Sequence, residues 1–354
     1  MKLQRSRPLF RIAANVQCMI LMCAAAGLAA QNSDDEPAED VEPSGAELSD
    51  AGNDGAGVFH LNQSAADATN QDNVLSVSAI QDSGAAISDA TSSQSALTSS
   101  AELSNQFSGS DATIADVANA ASGVVGINQS TAAGSSQGNL MALAVSSDPA
   151  SLAYASAFSS ATSSPVSMAG VAAVPDVTMT NVGNAATGAI QANQLAGTGG
   201  QQSNLVALAI AGEGAALADA TAQHSRAADA EASGEMAYPA LNATATLRDS
   251  FNGATGLVQV NQATGGFNSQ TNLIAAAFGA FADASAISET GLGDVRAPAT
   301  SAADADHVAP EGLADARGSF EGFVGVGQVS QVVGYNNQTA NTISVSVGVI
   351  PAGS

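Results

Sequence analysis

The chain has 354 residues, of which 32 are acidic and 8 are basic, and its formal net charge at pH 7 is −24. This charge excludes nucleic acids and anionic membrane surfaces as electrostatic partners, because their phosphates repel carboxylates. Tryptophan is absent and aromatic residues make up 4% of the chain, so large side chains cannot build a conventional globular core, and the many small residues favour thin, closely stacked layers.

Residues 1–30 have the pattern of a secretory signal peptide. Four basic residues precede an apolar stretch over 12–28 that ends in small residues, which predicts cleavage after Ala29 or Ala30; an uncleaved membrane anchor is the alternative. The remaining chain then carries 4 basic and 32 acidic residues, a net charge of 4 − 32 = −28, and no lysine. Both cysteines, Cys18 and Cys23, lie within 1–30, so we expect an exported protein without disulfides.

Residues 31–54 form an acidic segment. They carry nine acids, two prolines and almost no apolar residues. This composition cannot bury enough apolar surface to offset the entropy of ordering the chain, so the segment is predicted to be disordered.

A short phrase recurs along the rest of the chain, over 55–354: Asn-Gln, seven residues, Gln, one residue, Asn. Copies begin at Asn62, Asn128, Asn193 and Asn261, and in a degenerate fifth copy Gly327-Gln328 replaces Asn-Gln, so that the spacings are 66, 65, 68 and 66 residues. The repeat cores lie near 57–79, 123–145, 188–210, 256–278 and 322–347. A fixed period indicates a stacked repeat architecture, in which atypical first and last copies cap the stack.

Side chains alternate with period two on both sides of this phrase. In the fourth copy, Val258 and Val260 are apolar, Gln259 between them is polar, and Gln262 falls on the same face as the valines. The second arm alternates in the same way from Gln270, and glycine-rich residues separate the two arms. Each copy therefore predicts strand–turn–strand, and the chain is predicted to be all-β, a repetitive β-solenoid of five stacked layers with a period of about 66 residues.

Spacers rich in Ala and Ser lie between the repeat cores, at about 81–120, 147–184, 211–252 and 279–320. Stretches such as 151–160 and 244–251 alternate like strands, whereas 225–237 contains enough alanine for a short helix. The spacers do not have the apolar stripe of an amphipathic helix.

The repeated amides are the strongest candidates for a functional site. An inward-facing amide needs a partner, and the identical residue of the next layer supplies one when layers stack about 4.7–4.8 Å apart. Such ladders can form within one chain, as in a solenoid, or between chains, as in a fibre. The predicted ladder residues are Asn62, Gln63, Gln71, Asn73, Asn128, Gln129, Gln137, Asn139, Asn193, Gln194, Gln202, Asn204, Asn261, Gln262, Gln270, Asn272, Gln328, Gln338 and Asn341.

The fourth copy, GLVQVNQATGGFNSQTNLIAAA, resembles the repeat of the Fap-type bacterial functional-amyloid fibre subunits. The shared features are a Gly-rich opening, Val-Asn, a small turn with Gly, then Asn-x-Gln-x-Asn and an Ala-rich tail. The resemblance covers five blocks of about 25 residues. It implies export across a Gram-negative outer membrane and assembly into cross-β surface fibres. It also implies that Asn261, Gln262, Asn268, Gln270 and Asn272, with their counterparts, are ladder residues.

The leading functional hypothesis is a secreted structural subunit of an extracellular amyloid-like fibre or matrix that supports surface adhesion or biofilm. The expected partners are further copies of the chain, outer-membrane secretion machinery and extracellular polysaccharide, and not nucleic acid. The alternative is a monomeric cell-surface β-solenoid adhesin or anchor that binds polysaccharide.

An extracellular β-helix enzyme is a third hypothesis. Sites that act on polysaccharide need clustered carboxylates with Arg or Lys beside them, and the arginines outside 1–30 are scattered at 226, 248, 296 and 317. His60, His224 and His307 lack Cys or carboxylate partners at ligand spacing. We therefore expect no catalytic, metal or cofactor site, and the carboxylates leave only loose binding of divalent cations open.

Overall fold

A computed structural model describes residues 46–65, 69–81, 84–96, 111–131, 134–148, 151–163, 176–196, 200–212, 214–226, 243–264, 268–279, 284–292, 313–333 and 337–348. These residues form nineteen β-strands and no helix. All strand pairs are parallel, and they assemble into four sheets. The prediction of an all-β, repetitive stack is confirmed.

Each sheet collects one strand from successive repeats. Sheet A contains β1 (Ala46–Ser49), β5 (Ala112–Ala115), β9 (Val177–Thr180), β13 (Thr244–Arg248) and β17 (Leu313–Arg317). Sheet B contains β2 (Ala56–Ser64), β6 (Ser122–Ser130), β10 (Thr187–Leu195), β14 (Thr255–Ala263) and β18 (Val324–Val332). Sheet C contains β3 (Asn70–Ile80), β7 (Ser136–Ser146), β11 (Gln201–Ala211), β15 (Ser269–Gly279) and β19 (Gln338–Gly348). Sheet D contains β4 (Ala85–Ala96), β8 (Leu152–Ser163), β12 (Ala215–Arg226) and β16 (Ala284–Leu292).

One repeat supplies consecutive strands to sheets A, B, C and D, and we call this set a rung. Rungs one to four are β1–β4, β5–β8, β9–β12 and β13–β16, and the described part of rung five is β17–β19. Equivalent residues pair directly, as Asn128 does with Asn62 and Asn193. The sequence predicted two strands in each repeat core. The strands of sheets A and D arise from the spacers, except β1, which lies in the acidic segment 31–54. The alternation at 151–160 and 244–251 belongs to β8 and β13.

The sheets pack face to face in the order A, B, C, D. Because successive residues of a strand point to opposite faces, Val125 packs with Ile114 of sheet A, whereas Val124 packs with Met141 of sheet C. The interface between sheets C and D is built mainly from alanines with one leucine column that includes Leu140. Sheet B and the first part of sheet C are therefore covered on both faces, and their polar side chains are enclosed as well as their apolar ones, whereas Ile210 and Phe278 near the ends of β11 and β15 stay exposed.

The turn from sheet A to sheet B depends on left-handed backbone. In rung two, Asp116, Ala118 and Ala120 have φ angles of 56°, 58° and 54°, which L-residues adopt at a cost of about 1–2 kcal/mol each. Shortly after this turn a glycine column crosses sheet B, where a Cβ on Gly188 would lie 2.0 Å from the carbonyl oxygen of Gly123. Only glycine permits such a close approach between rungs.

The structure differs from the expectation for the acidic segment 31–54. Its last residues form β1 and the turn to sheet B, because Ala46 is buried and Leu48 packs on the cluster between sheets A and B. Glu47 alternates outward and stays exposed, so acidic composition and strand structure are compatible here. Residues 31–45 lie outside the described residues.

Two further expectations concern regions that the structure does not describe. The predicted signal peptide 1–30 lies outside the described residues, as do 227–237 of the stretch with helical composition, while 225–226 belong to β12. Across the described ranges, no helix has the length and apolar character needed to cross a membrane.

Candidate functional site: amide columns between the sheets

Two asparagine columns face each other between sheets B and C. In sheet B, the Nδ2 atoms of Asn128, Asn193 and Asn261 each donate a hydrogen bond of 3.0 Å to the Oδ1 of the asparagine one rung earlier, beginning with Asn62. In sheet C, the column begins with Asn73, and Asn139, Asn204, Asn272 and Asn341 donate in the same direction over 2.9, 3.0, 2.9 and 2.9 Å.

The two asparagine columns are also bonded to each other within each of the first four rungs. The sheet C residue donates to the Oδ1 of its sheet B neighbour, over 2.9 Å from Asn139 to Asn128 and from Asn204 to Asn193. The Nδ2 of Asn139 also reaches the carbonyl oxygen of Ile127 at 2.9 Å. These bonds fix the register of both sheets, because a slip of one residue would turn every amide to the opposite face.

A glutamine column lies between sheets A and B. The Nε2 of Gln129 donates to Gln63 Oε1 at 2.9 Å and to the carbonyl oxygens of Ala46 and Thr113 at 3.0 and 2.9 Å. Gln194 and Gln262 continue the column over 3.0 and 2.9 Å. Each of these amides therefore ties the short strands of sheet A to the longer strands of sheet B.

The second-arm glutamines form a column that runs in the opposite direction. Gln71, Gln137 and Gln202 donate from Nε2 to the Oε1 of the glutamine one rung later, Gln270 being the last, over 2.8, 2.8 and 2.7 Å. The same Nε2 of Gln137 donates to the carbonyl oxygen of Gln129 at 2.9 Å and so closes the turn between sheets B and C. Because donor and acceptor ends are not equivalent, the columns give the stack a direction.

The fifth rung differs from the arrangement predicted from the sequence. Gln331 pairs with Gln262 and continues its column at 2.8 Å, whereas Gln328, the predicted member, pairs with Gln259. Gln338 pairs with Ser269. Thr339 pairs with Gln270 and therefore takes the next place in the column of the second-arm glutamines. The physical reason is that Gly325 stands in the glycine column beside Gly256, which lengthens the last period from 66 to 331 − 262 = 69 residues.

Gln191 and Gln259 belong to a further column, and neither is among the predicted ladder residues. Gln191 Nε2 donates to Gln259 Oε1 at 2.9 Å, and Gln259 donates to Gln328 at 2.8 Å. Both lie at the B–C interface with less than 3% exposure. Their alternation with apolar residues predicts the polar face of a half-buried strand, and only the presence of sheet C on that face makes them ladder residues.

A second column outside the predicted set caps the turn from sheet A to sheet B. The Oδ1 atoms of Asn53, Asn119 and Asn184 accept the backbone N–H of Asn119, Asn184 and Asn252 over 2.8, 2.9 and 2.7 Å. Each of these asparagines precedes the repeated Asn-Gln by nine residues. Extending the repeat upstream from the phrase would have found them. Asn268, which the resemblance implied, donates to the carbonyl oxygen of Thr264 in the B–C turn.

Among the described residues, the titratable side chains do not form a comparable cluster. His224 is buried between serines, with Nε2 2.9 Å from Ser203 Oγ and Nδ1 2.8 Å from Ser269 Oγ. Over the part of the chain that the structure describes, no group of three or more His, Cys, Asp or Glu side chains is placed to hold a metal ion. The amide columns are therefore the main polar feature of the interior, and they bind one rung to the next.

The comparison with known proteins agrees with this geometry. No solved structure matches the chain. The profile of the functional amyloid protein FapB/FapC family matches residues 24–180 and again residues 169–348. The two matches together span most of the sequence and every described rung. The chain therefore belongs to the functional amyloid protein FapB/FapC family.

Proposed function

We propose that this chain is a secreted structural subunit of an extracellular amyloid-like fibre or matrix that supports surface adhesion or biofilm. The observation that carries the proposal is the parallel, in-register stack of rungs, with identical amides bonded from one rung to the next. This order is that of a cross-β fibre. Membership in a family of functional amyloid proteins supports the proposal.

The ends of the stack supply the means of self-association. β1, β2 and β3 are the outermost strands at one end of sheets A, B and C, and β17, β18 and β19 are outermost at the other. Such strands present unpaired backbone N–H and C=O groups to another chain. Further copies of the chain are therefore the proposed partners.

Export and surface contacts complete the proposal. The pattern of 1–30 supports secretion, and the resemblance supports passage through outer-membrane machinery to the surface of a Gram-negative bacterium. Extracellular polysaccharide is the proposed matrix partner. The proposed role is structural and not enzymatic, because the repeated side chains are buried amides bonded to one another.

A monomeric cell-surface adhesin or anchor is the second candidate. The observation that favours it is that the columns close within one chain, as from Asn128 to Asn261. A single copy thus satisfies most of its own amides without a partner.

Incubation of the purified chain at neutral and acidic pH separates the two candidates. Thioflavin fluorescence, sedimentation and fibre diffraction are the measurements. The proposal expects insoluble fibres with a reflection at about 4.7 Å. A β-rich chain that stays soluble and monomeric under all conditions would contradict the fibre and favour the adhesin, whose ligand could then be sought among polysaccharides.

A further inference from the structure

In the columns of Gln63 and Asn73, rung one lacks the acceptors that each later rung finds in the rung before it. Among the described residues, Gln63 Nε2 donates to the carbonyl oxygen of Glu47 in its own rung at 2.9 Å. The equivalent residue of rung two, Gln129, also donates to two acceptors in the preceding rung, Gln63 Oε1 and the carbonyl oxygen of Ala46. Asn73 likewise donates only to acceptors within rung one. This end of the stack offers amide donors.

Rung five offers the matching acceptors. Gln331 Nε2 donates backwards to Gln262 Oε1, and Asn341 Nδ2 donates backwards to Asn272 Oδ1. The oxygens Gln331 Oε1 and Asn341 Oδ1 receive no hydrogen bond from the described residues. They occupy the same columns as Gln63 and Asn73, four rungs away.

The glycine column has an open position in rung one, at Gly57. In rungs three, four and five, a Cβ on Gly188, Gly256 or Gly325 would lie 2.0, 2.0 or 1.9 Å from a glycine carbonyl oxygen of the rung before. A Cβ on Gly57 would meet nothing within 4 Å. Rung one therefore has the open space into which a carbonyl like that of Gly325 fits.

The charges of the two end rungs also differ. The described residues of rung one include five carboxylates and neither Lys nor Arg, whereas those of rung five include Asp315, Glu321 and Arg317. Arg317 Nε lies 2.7 Å from Asp315 Oδ1, and Arg248 Nη2 lies 3.9 Å from Asp315 Oδ2. Two copies of rung one would repel each other, while rung five carries a smaller and partly neutralised charge.

We infer that rung five binds rung one of a second copy of this chain, head to tail and in the register that joins rungs within one copy. The contact extends the columns from Gln331 to Gln63 and from Asn341 to Asn73. Arg317 and Arg248 offset Asp315 where Glu47 of the next copy stacks on it. A head-to-tail contact that does not close generates an open filament. The inference rests on the proposed fibre function.

Disulfide trapping tests both direction and register. Ala79 and Val347 are exposed members of one column in sheet C. Within a copy they are four rungs apart, about 19 Å at a strand spacing of about 4.8 Å, too far for a disulfide. In the full chain carrying Cys18→Ser and Cys23→Ser, Ala79→Cys protein is mixed with Val347→Cys protein, assembled and oxidised.

Mixed dimers of Ala79→Cys with Val347→Cys are expected, with little cross-linking in either protein alone. Val345→Cys is the register control, because a two-residue offset moves the Cα atoms beyond disulfide reach. Dimers of Ala79→Cys alone would overturn the inference in favour of a head-to-head contact, and equal trapping by Val345→Cys would overturn the register. Fibres without any cross-link would overturn the junction and leave the fibre function standing. Absence of fibres would overturn both.

A charge variant tests the role of the arginine at the junction. Arg317→Glu places a carboxylate beside Asp315 and is expected to slow seeded fibre elongation at least about tenfold at low salt, with recovery at high salt. Arg226→Glu makes the same charge change at the end of β12 in the third rung and is the control. Equal slowing by both variants would contradict a specific role for Arg317.

Discussion

Asn204 Nδ2 lies 3.0 Å from Asn139 Oδ1, and both side chains are buried between sheets B and C. The same Nδ2 lies 2.9 Å from Asn193 Oδ1 in its own rung. One amide therefore joins two rungs and two sheets at once. A buried amide stripped of such partners costs about 1–3 kcal/mol, so the stability of the stack depends on the identity of these side chains as well as on apolar burial.

Replacement of a central amide by its acid tests this dependence. Asn204→Asp removes the donor and turns a carboxylate toward the Oδ1 atoms of Asn139 and Asn193. We expect a loss of about 3 kcal/mol or more in the free energy of unfolding, because the carboxylate oxygen that replaces Nδ2 is buried and faces only acceptor oxygens. Denaturant unfolding of soluble chain is the measurement. Gln223→Glu makes the same change at an exposed position of β12 and should alter stability by less than about 0.5 kcal/mol; equal effects would contradict the role of the column.

Glycine substitutions separate close approach from backbone strain. Gly188→Ala places a Cβ 2.0 Å from the Gly123 carbonyl oxygen at a φ of 129°, and should destabilise the stack by at least about 3 kcal/mol. Gly253→Ala meets nothing within 4 Å at a φ of 64°, and should cost about 1 kcal/mol. The equivalent positions in rungs two and three already hold alanine, Ala120 and Ala185. Thermal unfolding of the two variants compares them, and similar melting temperatures would refute the proposed contact between rungs.

The stability of rung one is expected to depend on pH through His60. Partial desolvation of the ring lowers the pKa of His60 from 6.5, although the residue stays exposed in β2 at the end of sheet B, so the effect on stability is expected to be small. The folded chain therefore favours the neutral ring, and between the folded pKa and 6.5 the unfolded chain binds more protons. The contribution of His60 to stability is present above pH 6.5 and is lost as the pH falls toward the folded pKa.

The comparison of wild type with His60→Gln isolates this contribution. Unfolding midpoints are measured between about pH 8 and about pH 5, across the range in which histidine titrates. The wild type should lose more stability than the variant as the pH falls, since the carboxylates of both respond alike. Parallel pH profiles would show that His60 is not protected from protonation in the stack.

Assembly should respond to charge neutralisation. The chain carries a net charge of −24 and has a pI of about 4.1, and close stacking of carboxylates is unfavourable until they are protonated, screened or bridged. A shorter lag in thioflavin assays is expected near pH 4, with added salt or with calcium. A lag time independent of all three would contradict control of assembly by charge.

The period of the amides was sufficient to predict the all-β stack. Residues such as Asn128, Asn193 and Asn261 recur at nearly constant spacing, and side chains that repeat with the fold must meet when layers stack. The prediction failed where the period changed. In rung five, Gln328 matches the local motif but Gln331 takes the place beside Gln262, because pairing of the whole strand outweighs the match of a single dipeptide.

The sequence by itself determined the repeat, the strand character of its core and the identity of most amides in the columns, because these follow from local alternation and period. Only the tertiary structure decided which faces are enclosed. Gln191 and Gln259 are ladder residues because sheet C covers the second face of sheet B, and the spacers become sheets A and D because they pack against B and C. Burial of a face depends on contacts between residues far apart in the chain, and those contacts are formed only when the whole rung folds.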